Sequence, residues 1–292
     1  MKDYENAIEI NGVTKRFDGF TLDNVSFNVA KGSIMGFIGQ NGAGKSTTIN
    51  TVLNILTPDS GDIKVFGMDN REHDMEIKAH ISAVFDELPF HDVLNANDIN
   101  IILKEVFSEW DSSVFSEYLD RFSLPRRKKF GEFSKGMKMK LQIAAALSHN
   151  AKLLIMDEAT TGLDPVVRNE ILDIFLEYLQ DEDHSILMSS HITSDLEHIA
   201  DSVTFIDKGR ILLTGYKDDI TGSHGLMRCS LSDYREIDKG DFISARLSDY
   251  GADVLIDRRD EMSVKYSGAV IDPVSLEDIM LYYVNREKKE WK

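Results

Sequence analysis

Closely spaced glycines lead into a lysine and a serine in Gly39-Gln40-Asn41-Gly42-Ala43-Gly44-Lys45-Ser46, with Thr47 next, and the run fits G-x-x-x-x-G-K-[ST] without a gap. Glycines at 39, 42 and 44 let the backbone curl so that successive N–H groups point at an anion. A helix starting there adds the positive end of its dipole. Lys45 is placed to reach the outer phosphates of a nucleotide as a point charge, and the Ser46 hydroxyl to ligate Mg²⁺. A second centre is Leu153-Leu154-Ile155-Met156-Asp157-Glu158, an apolar run closed by two acids. Asp157 is placed to hold Mg²⁺ through water and Glu158 to polarise an attacking water; the alternative is an acid pair that caps the following turn. Three shorter motifs accompany them: Phe133-Ser134-Lys135-Gly136-Met137, Gly162-Leu163-Asp164-Pro165 and Ser189-Ser190-His191. Each is weak alone, since many helices begin like the first and a lone histidine at a strand end is usually structural.

These residues need elements to position them. Residues 33–38 read as a short apolar strand before the glycine loop and 46–56 as a helix after it, the strand-loop-helix context that a phosphate loop requires. Residues 7–13 and 22–30 alternate apolar and polar positions, with Asp18-Gly19 as a turn, and predict an antiparallel sheet leading into that strand. Phe17 precedes the turn; periodicity favours a core role, and the alternative is a platform for an adenine ring. After the turn chemistry of 57–62, strands are expected at 63–67 and 80–85, the latter ending in the loop Asp86-Glu87-Leu88-Pro89-Phe90-His91. Between 95 and 122 the period becomes helical. Ile99, Ile102, Leu103 and Val106 share one face, Phe115, Tyr118, Leu119 and Phe122 another, with Asn97 and Asp111 as N-cap candidates.

A further helix is expected at 135–147. The run 153–158 reads as a buried parallel strand whose C-terminal end opens on a ligand. Pro165 opens a helix with Val167, Ile171, Ile174, Phe175 and Tyr178 inward, and 186–191 is another buried strand. A strand at 203–206 and a hairpin-like segment at 208–212 finish the core, and 221–225 reads as a linker. Beyond it a small unit is expected, with strands at 227–231, 252–256 and 262–266, a short helix at 242–247 and a closing helix at 275–286.

The composition bounds the function. At 292 residues the chain can bury a full core. A single cysteine, Cys229, rules out an intramolecular disulfide and is the count expected of a reducing compartment. No stretch approaches the roughly 18 apolar residues of a membrane span, so any membrane role needs a partner chain. The formal net charge of −17 argues against nucleic acid as a partner. The basic run Arg126-Arg127-Lys128-Lys129 reads as a solvated loop.

The ordered series of phosphate loop, acidic loop, S-x-G-M, D-E, G-L-D-P and S-S-H resembles the ATP-binding subunit of ABC transporters, over about residues 8–220. The resemblance implies an α/β fold: a P-loop NTPase core of the ABC type with an antiparallel sheet at its start and a helical insert at about 92–148, together forming an ATPase domain at 1–221. Residues 222–292 then form a small α+β accessory unit. It implies ATP and Mg²⁺ as ligands, with Phe17 at the adenine-stacking position, Gly39, Asn41, Gly42, Gly44, Lys45, Ser46 and Thr47 on the phosphates, and Ser46, Asp157 and Asp86 toward the metal. Two such domains pack head to tail in the family, so Ser134 and Gly136 would contact a partner's γ-phosphate and Asp164 would cross the interface. Glu158 would be the catalytic base, with His191 and Lys45 on the γ-phosphate.

Two departures stand out: F-S-K-G-M replaces the family's common L-S-G-G-Q, and Asp86 replaces its usual glutamine. The implied role is the cytoplasmic motor, peripheral on the inner face of the membrane, of a separately encoded permease, with a second ATP-binding subunit as partner. The short spacing and small C-terminal unit resemble exporters of drugs, antibiotics, peptides or lipids. The competing readings are a soluble ABC ATPase acting on ribosome or DNA, and a regulatory protein that binds ATP without turnover.

Overall fold

In the computed structural model, residues 4–85 and 90–291 are described. The long strands β1 (Asn6–Phe17) and β2 (Phe20–Ala30) pair antiparallel around the turn at 18–19. The buried strand β3 (Ile34–Ile38) runs into the glycine loop, and α1 (Lys45–Val52) follows. That helix stops four residues short of the expectation. Asn54 turns left-handed at φ 52° and the N–H groups of Ile55 and Leu56 both close on the Asn50 carbonyl. β4 (Ser60–Val65) and β5 (Met68–Asp69) complete a four-stranded sheet in the order β2-β1-β4-β5.

After α2 (Asp74–Lys78) comes β6 (Ile81–Phe85), and then the helical insert: α3 (Ala96–Val106), α4 (Ser112–Arg121) and α5 (Lys135–Ala146). Asp111 caps α4 as expected. Asn95 rather than Asn97 caps α3, because its side chain accepts from the N–H groups of Asn97 and Asp98 while Asp98 bonds back to the Asn95 N–H. Ile99 is buried, yet Ile101, Ile102 and Val106 lie 64%, 45% and 64% exposed, so α3 shows an apolar face to solvent.

The remaining core elements alternate as β7 (Leu153–Asp157), α6 (Pro165–Tyr178), β8 (Ser185–Ser190), α7 (Thr193–Ile199), β9 (Ser202–Asp207) and β10 (Arg210–Tyr216). The central sheet has the order β10-β9-β3-β8-β7-β6, parallel except for its hairpin edge β10. Its strands β3, β7 and β8 are buried along their whole length, as covering both faces requires. Residues 39–47, 157–158 and 191 lie together at the C-terminal ends of these neighbouring strands.

His149 joins the insert to the edge of the sheet. The Ser82 hydroxyl gives its proton to the Ala146 carbonyl at 2.5 Å, so His149 Nε2, 2.6 Å away, is the donor to Ser82. The ring stacks on Phe107 at 4.0 Å and is 2% exposed. Burial pulls its pKa from 6.5 down to about 4, against smaller upward pulls from a backbone bond and from Glu109. A histidine whose folded pKa is depressed contributes stability above pH 6.5 that is lost as the pH falls toward 4, because the unfolded chain takes up its proton first. Chemical denaturation at a series of pH values is therefore expected to show the protein losing about 3 kcal/mol more than His149→Leu over that window. Identical slopes would show that the imidazole is not held neutral.

The C-terminal part departs most from expectation. The expected linker is the end of α8 (Lys217–Ser223) and the start of β11 (Gly225–Cys229). His224 is buried there, with Nδ1 2.7 Å from the Ile220 carbonyl and Nε2 3.0 Å from the Tyr283 hydroxyl. After α9 (Leu231–Arg235), the expected helix at 242–247 is β12 (Ser244–Leu247), next to β13 (Ala252–Ile256). The expected strand at 262–266 falls in α10 (Arg259–Lys265), followed by β14 (Val270–Asp272), α11 (Leu276–Val284) and β15 (Glu290–Trp291). The five strands order as β14-β11-β13-β12-β15. Leu276, Ile279 and Tyr283 of α11 pack into one continuous core with Leu196, Ile199 and Ile220, and Glu197 accepts the Leu276 N–H at 2.6 Å.

Candidate active site

Gly39 is where β3 ends, and a Cβ there would lie 2.5 Å from the Ile206 carbonyl oxygen. Only glycine lets the loop leave the sheet against β9. Gly42 and Gly44 take φ of 78° and 116°, the left-handed region in which an L side chain is strained. The far side of the loop is fixed by the Gly209 N–H, which donates to the Ala43 carbonyl at 2.8 Å. Gly44 then caps α1 through its backbone alone, leaving the first N–H groups of the helix directed at the loop's hollow. Asn41 and Ser46 are exposed on the rim and Thr47 is half-buried.

Lys45 is 5% exposed and bends back over the loop. Its ammonium donates to the Gly39 carbonyl at 2.7 Å and the Gln40 carbonyl at 3.3 Å, and pairs with Glu158 Oε1 at 2.9 Å. Two of its protons are thus held by carbonyl oxygens of the loop, and its charge is balanced by Glu158. Glu158 stands just past β7 with φ 57°, a conformation uncommon for a non-glycine residue and typical of functional sites. Its other oxygen, Oε2, accepts from the Thr161 hydroxyl at 2.8 Å and lies 2.5 Å from His191 Nδ1. Burial pulls the Glu158 carboxyl up, but the bond and charge of Lys45, with the bonds from Thr161 and His191, outweigh it and hold the group below its usual value.

Asp157, at the last position of β7, lies opposite Ser189 in the parallel register and accepts the Ser189 hydroxyl through Oδ1. The same Ser189 hydroxyl and backbone carbonyl receive the Glu158 N–H, each at 3.2 Å. Asp157 and Glu158 therefore point to different partners, because β7 ends at Asp157 and the left-handed backbone of Glu158 redirects its side chain. Among the described residues no three histidine, cysteine, aspartate or glutamate side chains cluster as a protein-only metal cage. An exposed Ser46 hydroxyl and the Asp157 carboxylate suit Mg²⁺, which keeps its waters and takes one or two protein oxygens beside phosphate. Asp86 lies outside the described residues.

Phe17 is 43% exposed, which corrects the core reading of it. Its ring lies 6.3 Å from that of Phe20, whose edge in turn comes within 3.2 Å of the point where a Gly44 Cβ would sit. An open aromatic face is thus carried next to the phosphate loop. Ser134 caps α5 by accepting the Met137 N–H at 3.3 Å, and Ser134 is exposed. Gly136 faces Val167 of α6, and the Lys135 ammonium lies 3.3 Å from the Cβ position of Gly162. Asp164 caps α6 by accepting from Val166 and Val167 at 3.2 and 3.1 Å.

The structure thus brings the sequence-derived residues into two groups. Residues 39–47, Asp157, Glu158 and His191 form one, with Phe17 at its edge. Ser134, Gly136, Gly162 and Asp164 form a second, outward-facing group. Among the described residues no hydrogen bond joins Ser134 to the phosphate loop. Sequence reading missed Thr161 and Ser189, whose hydroxyls orient the two acids; a hydroxyl three residues after an acid, and another in the neighbouring strand, were the available signals.

Comparison with known proteins places this arrangement. The family described as "ABC transporter" matches residues 22–161. The chain is 36% identical over 194 residues to the bacitracin transport ATP-binding protein BcrA of Bacillus licheniformis, covering 66% of this chain and 63% of that one. It is 34% identical over 209 residues to the lantibiotic transport ATP-binding protein SrtF of Streptococcus pyogenes, covering 70% and 89%. Over 235 residues it is 32% identical to the daunorubicin/doxorubicin resistance ATP-binding protein DrrA of Streptomyces peucetius, covering 78% and 71%. A solved ATP-binding subunit of an ABC transporter superposes with a TM-score of 0.67 at 25% identity, covering 74% of this chain and 92% of that one.

Proposed function

Because the chain belongs to the ABC transporter family as an ATP-binding subunit, an ATPase, we propose that it powers export of an antibiotic, drug, peptide or lipid through a separately encoded integral membrane permease. The similarity to bacitracin and lantibiotic transport proteins and to a daunorubicin/doxorubicin resistance protein supports the direction and the cargo class. We place it in the cytoplasm, peripheral on the inner face of the membrane; no helix among the described residues is long and apolar enough to cross it.

The observation that carries the mechanism is the chain of contacts Lys45–Glu158–His191. With Lys45 buried, bonded to two loop carbonyls and ion-paired with Glu158, an arriving γ-phosphate takes the ammonium from Glu158 rather than from solvent. Losing its cation raises the basicity of Glu158, so the base is readied by the substrate it acts on. Glu158 then accepts a proton from the attacking water, and His191, oriented through Nδ1, presents its other ring nitrogen to the γ-phosphate. Ser46 and Asp157, with Asp86 as a further contact, would hold Mg²⁺, which supplies charge neutralisation at the β- and γ-oxygens. Phe17 stacks the adenine.

Ser134, Gly136 and Asp164 act on the nucleotide of a second ATP-binding subunit, identical or different, packed head to tail. Their outward group, separate from the chain's own phosphate loop, supports that division of labour. The exposed apolar face of α3 is the proposed seat for the permease. Residues 1–221 are the motor unit, and 222–292 an accessory unit docked on α7. Purifying tagged Glu158→Gln with Mg-ATP from detergent-solubilised membranes is expected to bring down one polytopic membrane protein in stoichiometric amount. Ribosomal or DNA-repair proteins in its place would transfer the assignment to a soluble ATPase.

A further inference from the structure

The helices that carry Asp164 and follow His191 are joined by an ion pair that is only half made. Arg168, one turn into α6, donates from Nη2 to the Leu163 carbonyl at 3.3 Å, so the guanidinium is fixed to the turn that presents Asp164. Its Nη1 lies 3.8 Å from Oδ1 of Asp195, in the first turn of α7, four residues after His191. Asp195 is 4% exposed. Arg168 Nε and Asp195 Oδ2 are both buried and both without a hydrogen-bond partner. One is a donor and the other an acceptor, on side chains already facing each other.

A buried charged atom without a partner costs more free energy than an ordinary hydrogen bond returns. With Nη1 and Oδ1 3.8 Å apart and a complementary orphan on each side chain, a relative shift of α6 and α7 by about 1 Å converts a long single contact into a forked arginine–carboxylate pair. The Thr160 hydroxyl, in the turn between Glu158 and Leu163, is also buried and unpartnered. Other unsatisfied atoms lie elsewhere, but the ones at Thr160, Arg168 and Asp195 lie along one ring of contacts: Glu158 to Thr161, the turn to Leu163, Leu163 to Arg168, Arg168 to Asp195, and α7 back to His191 and Glu158.

We infer that Arg168 and Asp195 are a positioning pair for hydrolysis, which tightens to register the Asp164 turn against the Glu158–His191 pair. Neither residue touches the nucleotide. Their action is to tie the group that faces a partner's ATP to the group that acts on the chain's own. The inference rests on Glu158 and His191 as the hydrolytic pair, which Glu158→Gln tests separately.

The test is steady-state ATP hydrolysis by the purified chain, with ATP affinity and thermal melting measured on each variant. Asp195→Asn, which keeps shape and removes charge, is expected to lower kcat about tenfold while KM for ATP stays within about twofold. Asp195→Glu, longer by one methylene and able to close the gap, is expected to keep at least half of the turnover. Arg168→Lys cannot serve Leu163 and Asp195 together and is expected to resemble Asp195→Asn. The double variant Arg168→Met/Asp195→Leu removes both charges, which a core tolerates better than one, and is expected to fold with low kcat. Undiminished kcat in a folded Asp195→Asn or double variant would overturn the inference. So would losses of kcat that follow the melting temperature across the whole set, since a merely structural pair behaves that way.

Discussion

Glu158→Gln is expected to lower the turnover of ATP by roughly two to four orders of magnitude, the range for removing a positioned general base. Glutamine keeps the volume, and its amide can still meet Thr161, so the strained turn at φ 57° has no reason to collapse. What is lost is a carboxylate able to take a proton from water. A second effect distinguishes this from simple damage. The ion pair at 2.9 Å makes Glu158 the competitor of phosphate for Lys45, and a neutral amide competes far less well. ATP affinity is therefore expected to rise as turnover falls, which equilibrium binding and phosphate release on the same preparation would reveal. Hydrolysis at the parent rate would remove Glu158 from the role of base.

Lys45→Ala has the opposite signature. Its ammonium supplies the charged hydrogen bond to the outer phosphates, a contact worth about 1.5–3 kcal/mol, so ATP affinity is expected to fall roughly tenfold to a hundredfold. Hydrolysis falls with it, because the group that neutralises γ-phosphate charge is gone. The change also leaves a half-buried Glu158 with only Thr161 and His191, so burial raises its carboxyl pKa and some thermal stability is lost. Calorimetric titration with Mg-ATP checks the affinity, and unchanged binding would count against the phosphate-loop assignment.

The phosphate loop, the acid-ended strand and the order of motifs were legible because each depends on residue types that few other arrangements use. Glycines 39, 42 and 44 are required by a close carbonyl and by left-handed backbone, and lysine must follow where the helix starts. Short apolar runs such as 153–156 and 186–188, too brief for a helix, read as buried strands. The C-terminal unit misled because its segments are short. Met262, Val264 and Tyr266 alternate like a strand, yet Val264 is 79% exposed, and Asp260 and Glu261 in the first turn with Lys265 in the last were the better signal for a helix. Residues 244–247 form a strand because β13 and β15 flank them on both sides, a tertiary fact that four residues do not carry.

Other misses have the same origin in packing. Thr221-Gly222-Ser223-His224-Gly225 has the composition of a linker, but Gly225 is small because a Cβ would lie 2.5 Å from Ile271 Cγ2. Phe17 illustrates the converse. An apolar residue in a period-two pattern implies burial, and only the end of the hairpin, past the last covering strand, leaves it open beside the phosphate loop. The hydroxyls of Thr161 and Ser189 were legible as residues and not as partners, since their bonds to Glu158 and Asp157 cross between a turn and two strands.

The central claim is that the two groups of site residues, apart within one chain, meet around ATP shared by two ATP-binding subunits. Sedimentation of Glu158→Gln with Mg-ATP, with the bound nucleotide extracted and counted, tests it most directly. The expected result is a dimer retaining one uncleaved ATP per chain, which Ser134→Arg or removal of Mg²⁺ returns to monomer. A monomer that holds ATP tightly, or a dimer indifferent to both nucleotide and Ser134, would contradict it.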